Sequence, residues 1–170
     1  MNLVLIGYRG TGKSHVGKLL AERLGMTRVV MDDEIERRAG MSTNEIVAKW
    51  GWPKFREIET EIARELSGRD NLVIDTGGGV IERPENVASL RTNARLFWLK
   101  ASVETIVSRI QSGTHRPALV AGKTFTEEVA EVLERRTPLY QEAADYVVET
   151  DALTPHQVVE AVIGLWQRKD

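Results

Sequence analysis

The sequence has no cysteine among its 170 residues, which excludes disulfide bonds and thiolate metal sites and suits a reducing compartment. Long hydrophobic runs are also missing, and no segment approaches the roughly 18 apolar residues that cross a bilayer. The apolar run at residues 3–6 has no basic segment before it, so we expect no signal peptide. Neither sign of charge is in excess, and a net charge of −2 gives no indication of a nucleic acid partner.

The composition that remains is that of an ordinary globular protein, with 42% hydrophobic and 28% charged residues. A chain of this length is expected to form a single domain, residues 1–170, around a buried core. The pattern leaves no exposed apolar stripe that demands a partner. We therefore expect a cytoplasmic monomer that binds neither membrane nor nucleic acid.

Residues 7–14, Gly-Tyr-Arg-Gly-Thr-Gly-Lys-Ser, match the phosphate-binding pattern G-x-x-x-x-G-K-[ST]. An apolar strand pattern precedes this phosphate loop and a helix-period pattern follows it, which is the context the motif requires. Glycines let backbone N–H groups converge on phosphate oxygens at the helix N-terminus. The motif predicts binding of a nucleoside triphosphate, with Lys13 at the β- and γ-phosphates and Ser14 at Mg²⁺. The predicted nucleotide contacts in the loop are Gly10, Thr11, Gly12, Lys13, Ser14 and His15.

Short strand patterns alternate with helical patterns along the rest of the chain. This alternation predicts an α/β fold of the P-loop NTPase class: three αβα layers around a five-stranded parallel sheet. Ligands of such sheets bind beyond the carboxyl ends of the strands, where the phosphate loop, Asp32 and Asp75 are expected to meet. The predicted strands are residues 3–6, 27–31, 71–75, 94–99 and 146–148.

Two short motifs follow predicted strands. Asp32 and Asp33 either stabilise a helix start, or one of them orients and deprotonates an acceptor hydroxyl; the pattern leaves both open. The triple glycine, Gly77, Gly78 and Gly79, costs backbone entropy on folding and so indicates positive φ or a close backbone approach. It is either a plain turn or a floor of N–H groups against a ligand.

Three arginines are candidates for binding an anion. Arg136 falls on the apolar face of its predicted helix (residues 126–139), so its partner is a buried acid or an anionic ligand, and both remain open. Arg56, like Glu59, lies just off the apolar stripe of its helix and could be a surface side chain. Arg116 lies in residues 112–124, where periodicity vanishes, and suits a mobile lid that brings a cation to the transferring phosphate. The apolar stripe beside Arg56 and Glu59 consists of Phe55, Ile58, Ile62 and Leu66.

Together these motifs resemble the shikimate kinase family, small P-loop kinases of aromatic amino-acid biosynthesis. The resemblance runs from Leu3 to about Tyr140 and covers most of the chain. Its motifs are residues 7–14, Asp32 with residues 34–36, Gly51 with Phe55, Arg56 and Glu59, the triple glycine, Arg116 with Pro117, and Arg136 with residues 138–140.

The resemblance implies transfer of the γ-phosphoryl group of ATP, with Mg²⁺, to the 3-hydroxyl of shikimate. It implies substrate-binding helices at about residues 32–66 and a lid at about 112–124. The implied catalytic residues are Asp32, Lys13 and Arg116. The implied substrate contacts are Asp32, Arg56, Gly77, Gly78, Gly79 and Arg136, and Arg109 and Arg116 join the nucleotide contacts.

The chain departs from the family at two positions. The family usually carries Asp-x-Asp after the second strand, where this chain has Val30 before Asp32. Asp75, two residues before the triple glycine, replaces a residue that is usually small or apolar, and residues 72–75 resemble a Walker B strand. In the family the first Asp helps to hold water around Mg²⁺, and the hypothesis is that Asp75 takes over this role, which Val30 cannot perform, beside the Mg²⁺ ligand Ser14; otherwise Asp75 caps a helix or is solvated.

Two other functions compete with shikimate phosphorylation. A related kinase of gluconate or another polyol acid would share the phosphate loop but need not keep Asp32, Arg56 and Arg136 together. A non-catalytic ATP-binding regulator on the same scaffold draws its support from Val30 alone. The intact Lys13 argues against the regulator.

Overall fold

The computed structural model describes residues 1–110 and 124–168. Five parallel strands form one sheet in the order β2-β3-β1-β4-β5, so the predicted five-stranded parallel sheet is confirmed. The strands are β1 (Asn2–Ile6), β2 (Thr27–Val30), β3 (Leu72–Asp75), β4 (Ala94–Lys100) and β5 (Tyr146–Glu149). The helices are α1 (Lys13–Leu24), α2 (Met31–Ala39), α3 (Thr43–Trp50), α4 (Trp52–Ser67), α5 (Pro84–Arg91), α6 (Val103–Ile110), α7 (Phe125–Ala143) and α8 (Pro155–Trp166).

Alternate residues of the central strand β1 pack against helices on opposite faces of the sheet. Leu3 and Leu5 join the cluster that α1 and α8 cover, while Val4 and Ile6 join the cluster beneath α2, α4 and α7. All four side chains are fully buried. Burial on both faces explains why this strand reads as a continuous apolar run. The three αβα layers that the alternation predicts are therefore present.

The helix boundaries follow the capping residues in the sequence. Gly25 and Gly40 adopt the left-handed conformation that ends α1 and α2. Ser42 begins α3 in a reciprocal capping box with Glu45, and Thr154 begins α8 in the same way. These local signals place the turns between the layers.

The predicted strand ends lie within one residue of the observed ends, and the largest difference described is at the end of α7. The second strand ends at Val30 and α2 begins at Met31, so Asp32 lies in the first turn of a helix. Helix α7 does not stop near residue 139 but continues past Pro138 to Ala143. Tyr140 and Ala143 are buried against the core, and this packing outweighs the helix-breaking tendency of the proline.

The predicted lid at about 112–124, with Arg116, lies outside the described residues except for Thr124, which caps α7. Within the described ranges, none of the helices combines the length and the apolar character that crossing a membrane requires.

Candidate active site

The phosphate loop joins β1 to α1 at the carboxyl end of the sheet. Gly7, Gly10 and Gly12 have φ values of +144°, +84° and +95°, which favour glycine. Lys13 is buried, and its Nζ donates hydrogen bonds to the carbonyl oxygens of Gly7 at 2.6 Å and Tyr8 at 3.1 Å. The sequence thus folds the loop tightly around the lysine that the motif assigns to phosphate binding.

A cavity of about 410 Å³ opens beside this loop. It brings together most of the residues that were predicted to bind the nucleotide or the substrate. The predicted residues that line it are Gly10, Gly12, Lys13, Ser14, His15, Asp32, Arg56, Asp75, Gly77, Gly78, Gly79 and Arg136.

Among the residues that the structure describes, two predicted nucleotide contacts do not line this cavity. The Thr11 hydroxyl donates to the carbonyl of Tyr8 at 2.9 Å, inside the loop. Arg109 donates to the hydroxyl and carbonyl oxygens of Thr150 at 3.3 Å and to the carbonyl of Gly10 at 3.4 Å. Arg109 therefore lies beside the phosphate loop but outside the main cavity.

The triple glycine is required by close approach rather than by backbone conformation. None of its three residues has φ in the left-handed region. A Cβ at Gly77 would lie 2.8 Å from Asp32 Oδ1, one at Gly78 would lie 3.1 Å from Arg136 Nη1, and one at Gly79 would lie 2.5 Å from the guanidinium carbon of Arg56. Side chains from α2, α4 and α7 thus converge on one glycine backbone.

Glu59 is fully buried, so the prediction that it lies off the buried face of α4 is wrong. Its Oε1 accepts a hydrogen bond from Arg56 Nη1 at 3.0 Å. Burial, assisted by the nearby Asp32 carboxylate, raises the pKa of Glu59 to about 7, although Arg56 and Arg136 oppose the rise. The cation of Arg56 explains why a carboxyl group is tolerated there. The spacing of three residues on one helix allows this pair, but helical periodicity alone could not reveal that it is buried.

Arg136 points inward as predicted, with 3% of its side chain exposed. Its Nη2 donates to Glu82 Oε2 at 3.3 Å, and its guanidinium lies 5.7 Å from the ring centre of Tyr8. Sequence reasoning missed Glu82 because no periodic pattern marks it. Glu82 ends a single 3₁₀ turn (Val80–Glu82) that follows the triple glycine, and this turn brings its carboxylate back to the cavity.

Asp75 lies at the end of β3, directly beside Val30 in the register of the parallel pair β2–β3. Its Oδ2 accepts a hydrogen bond from Ser14 Oγ at 3.0 Å and lies 3.5 Å from Arg28 Nη2. Burial raises the pKa of Asp75 against the opposing effects of Lys13, Ser14 and Arg28. Arg28, on β2, was not foreseen from the sequence, where it resembled any polar strand residue.

A phosphate loop at the end of the central strand shares its cavity with an acid and two inward-facing arginines. This combination defines a P-loop kinase of a small molecule. A model of the family described as shikimate kinase matches residues 9–166. A shikimate kinase of Thermodesulfovibrio yellowstonii is 42% identical over 167 residues, which cover 98% of this chain and 95% of the relative.

Solved structures agree with the sequence relatives. The shikimate kinase from Acinetobacter baumannii, in complex with shikimate, is 34% identical and aligns over 97% of this chain and 92% of its own, with a TM-score of 0.91. The shikimate kinase from Aquifex aeolicus is 29% identical and aligns over 98% and 96% of the two chains, with a TM-score of 0.84. The chain belongs to the shikimate kinase family, as its motifs indicated, and it is an ATP-dependent kinase.

Proposed function

We propose that the chain transfers the γ-phosphoryl group of ATP to the 3-hydroxyl of shikimate, giving shikimate 3-phosphate and ADP. The observation that supports this most directly is the convergence of Asp32, Arg56 and Arg136 on the triple glycine, in the cavity that the phosphate loop also lines. Family membership favours this function over a gluconate-type kinase or a non-catalytic regulator.

Arg56 and Arg136, here called the arginine pair, would bind the shikimate carboxylate. A guanidinium group offers planar, paired donors that match a carboxylate, and both side chains are largely buried, at 13% and 3% exposed. The backbone of the triple glycine would contact the ring hydroxyls. In this arrangement the carboxylate fixes the ring with one hydroxyl toward Asp32.

Asp32 would accept the proton of the 3-hydroxyl as that oxygen bonds to the γ-phosphorus. The bond from the γ-phosphorus to its bridging oxygen breaks, and ADP leaves with the electron pair. Lys13 and the loop amides would stabilise charge on the phosphates. Arg116, which lies outside the described residues, would add a second cation, and Arg109 would lie against the adenine.

The oxygen atoms of Ser14 and Asp75 form a donor set that fits Mg²⁺, which commonly binds through one or two protein oxygens together with substrate phosphates and waters. Among residues 1–110 and 124–168, no group of three or more His, Asp or Glu side chains could hold a metal by itself. Bound Mg²⁺ would neutralise phosphate charge. Ser14 would ligate it directly, and Asp75 would orient its waters from the position beside Val30.

We further propose a cytoplasmic monomer of one domain, residues 1–170, in which α2, α3 and α4 supply the substrate side. Its place would be in aromatic amino-acid biosynthesis. Gel filtration with light scattering would test the monomer, since a mass near 38 kDa in place of 19.1 kDa would contradict it.

The first experiment is coupled ADP release with Mg²⁺-ATP, with and without shikimate, for the wild type and Asp32→Asn. We expect shikimate-dependent turnover that falls at least about 100-fold in the variant, because the amide cannot accept the proton. ATP affinity should be unchanged, and gluconate should not replace shikimate. ATP binding without shikimate-dependent ADP release would contradict the proposed function.

A second experiment tests the metal assignment through binding. We expect Asp75→Asn to weaken ATP binding measured by calorimetry in Mg²⁺ but not in EDTA, and Val30→Asp in the same chain to restore part of the loss. An unchanged Mg²⁺ dependence in Asp75→Asn would remove Asp75 from the metal site and leave the proposed reaction intact.

A further inference from the structure

The arginine pair already faces one carboxylate of the chain itself. Glu82 Oε2 lies 3.3 Å from Arg136 Nη2 and 3.6 Å from Arg56 Nη2. One oxygen atom thus bridges the two guanidinium groups that would bind the shikimate carboxylate. Because two anions cannot share those donors without repulsion, a ligand carboxylate and Glu82 would compete for the same place.

The arginine pair needs an anion when no ligand is bound. Both guanidinium groups are removed from water, and burial of an uncompensated charge is costly. Arg56 pairs with Glu59 at 3.0 Å, whereas Arg136 pairs with Glu82 at 3.3 Å. Burial alone would raise the pKa of Glu82, but Arg136, Arg135 and Arg56 lower it below its usual value, so this carboxylate is ionised at neutral pH.

Glu82 also has an anchor outside the cavity. Its Oε1 accepts a hydrogen bond from Arg135 Nη2 at 2.6 Å, a shorter contact than either of those to the arginine pair. The Arg135 side chain is 52% exposed, and Glu82 itself is 24% exposed at the end of its 3₁₀ turn. The carboxylate can therefore rotate toward solvent and keep Arg135 as its partner.

We propose that Glu82 is a placeholder: its carboxylate occupies the anion position between Arg56 and Arg136 until a substrate carboxylate replaces it, and it then retreats to Arg135. This inference rests on the proposed function, because it uses the arginine pair as the carboxylate site. Glu82 is then a specificity residue, since weakly bound anions such as acetate or phosphate do not displace it.

If Glu82 instead orients the arginine pair, its loss should change shikimate affinity in the opposite direction. If Glu82 held the arginines in place while shikimate was bound, its loss would weaken binding. If Glu82 occupies the anion position in about nine of ten unliganded molecules, its loss strengthens binding about tenfold, because the competent fraction rises to one. The sign of the change therefore separates the two roles.

The test compares shikimate binding by calorimetry, without nucleotide, for the wild type, Glu82→Gln and Glu85→Gln. Glu85 is exposed on the following helix, three residues away, so its variant makes the same charge change outside the cavity. We expect Glu82→Gln to lower both Kd and KM for shikimate about tenfold with kcat unchanged, and Glu85→Gln to leave all three unchanged. Acetate and phosphate should inhibit Glu82→Gln at concentrations that do not affect the wild type.

The single variant Arg135→Ala keeps the proposal testable if Glu82→Gln folds poorly, because it removes the outer partner and leaves Glu82 in place; where both variants fold, they complete a double-mutant cycle. Loss of Arg135 should raise KM severalfold in the wild-type background, because Glu82 then has no outer partner. In the Glu82→Gln background the same change should have no effect. An equal effect in both backgrounds would show that Arg135 acts as a long-range charge, and it would overturn the proposed movement of the Glu82 carboxylate to Arg135.

Methyl shikimate supplies the matched ligand, because the ester has no negative charge to compete with Glu82. We expect Glu82→Gln to leave its affinity unchanged. Weaker or unchanged shikimate binding by Glu82→Gln would overturn the placeholder. If the wild type itself bound no shikimate, the proposed function would fail first, so the two failures are distinguishable.

Discussion

The two sides of the cavity use glycine for different purposes. In the phosphate loop, Gly7, Gly10 and Gly12 adopt positive φ. Among the described residues a Cβ at Gly12 would meet no atom within 4 Å, whereas one at Gly7 or Gly10 would also lie 2.6 Å from Leu99 O or Ile110 Cγ1. In the triple glycine the backbone is ordinary, and three side chains crowd the positions that a Cβ would take. The phosphate side therefore needs glycine first for its backbone conformation, and the substrate side needs it for close approach alone.

The two sides also handle charge differently. The phosphate side offers backbone amides and Lys13, whose ammonium group bonds to carbonyls of its own loop. The substrate side buries ionisable side chains against one another, with Arg56 between Glu59 and Glu82. A local motif is therefore sufficient for the first side, whereas the second depends on the whole fold.

The largest expected effect comes from Gly79→Ala, which fills the space that Arg56 occupies. The guanidinium must move, and loss of one buried charged contact costs about 2–4 kcal/mol, or about 30- to 1,000-fold in shikimate KM. Gly68→Ala, at the end of α4 with ordinary helical backbone, is the control. Steady-state kinetics should show the change in shikimate KM alone; a normal value would contradict the close-approach role.

The second prediction concerns pH and Glu59. Because its folded pKa of about 7 lies above the ordinary 4.5, the folded state binds the proton more tightly, and stability falls as pH rises between those values. Relative to Glu59→Gln, the wild type should lose up to about 3 kcal/mol of unfolding free energy from pH 5 to 8. Urea denaturation of both proteins across this pH range measures the difference in unfolding free energy, and a difference that does not change with pH would refute the prediction.

Gly12→Ala should have a smaller effect, confined to the phosphate side. Among the described residues no atom would contact the added methyl group, so the cost is that of the left-handed backbone, about 1–2 kcal/mol. We expect ATP affinity to fall about tenfold in calorimetry with shikimate affinity unchanged. Equal losses for both ligands would show that the two sides are not independent.

The smallest effect is expected far from the cavity, at Gly164. This glycine is exposed in α8, its φ is ordinary, and a Cβ there would meet nothing within 4 Å. Gly164→Ala should raise the unfolding free energy by about 0.5–1 kcal/mol through helix propensity, without changing activity. Destabilisation in urea titrations would contradict this account of why some glycines matter and others do not.

The difference between the two sides explains what the sequence could reveal. Residues 7–14 follow the strand that positions them, so the motif predicted the loop and Lys13 without knowledge of the fold. The capping box of Ser42 and Glu45 at the start of α3 is local in the same way. Local chemistry determined these features, and local chemistry is visible in the sequence.

The rest depended on how the elements pack. Glu59 looked exposed by helical period, and although its partner Arg56 lies only three residues away on α4, the burial of this pair is a property of the folded core. Glu82 had no periodic signal, since a single 3₁₀ turn aims its carboxylate at a helix 54 positions along the chain. The predicted helix over residues 126–139 was too short, because the burial of Tyr140 that extends α7 is a property of the folded core.

The pairing of Val30 with Asp75 has a consequence for how such a site can change over generations. Neighbouring strands lie about 4.8 Å apart, so a carboxylate can pass from one strand to the next and still serve nearly the same point in space. Because substitutions occur one at a time, moving the acid between positions 30 and 75 requires an intermediate chain that has an acid at both positions or at neither. The chain with both would place a second carboxylate beside the buried Asp75, and Arg28, which pairs with Asp75, is positioned to make that intermediate viable.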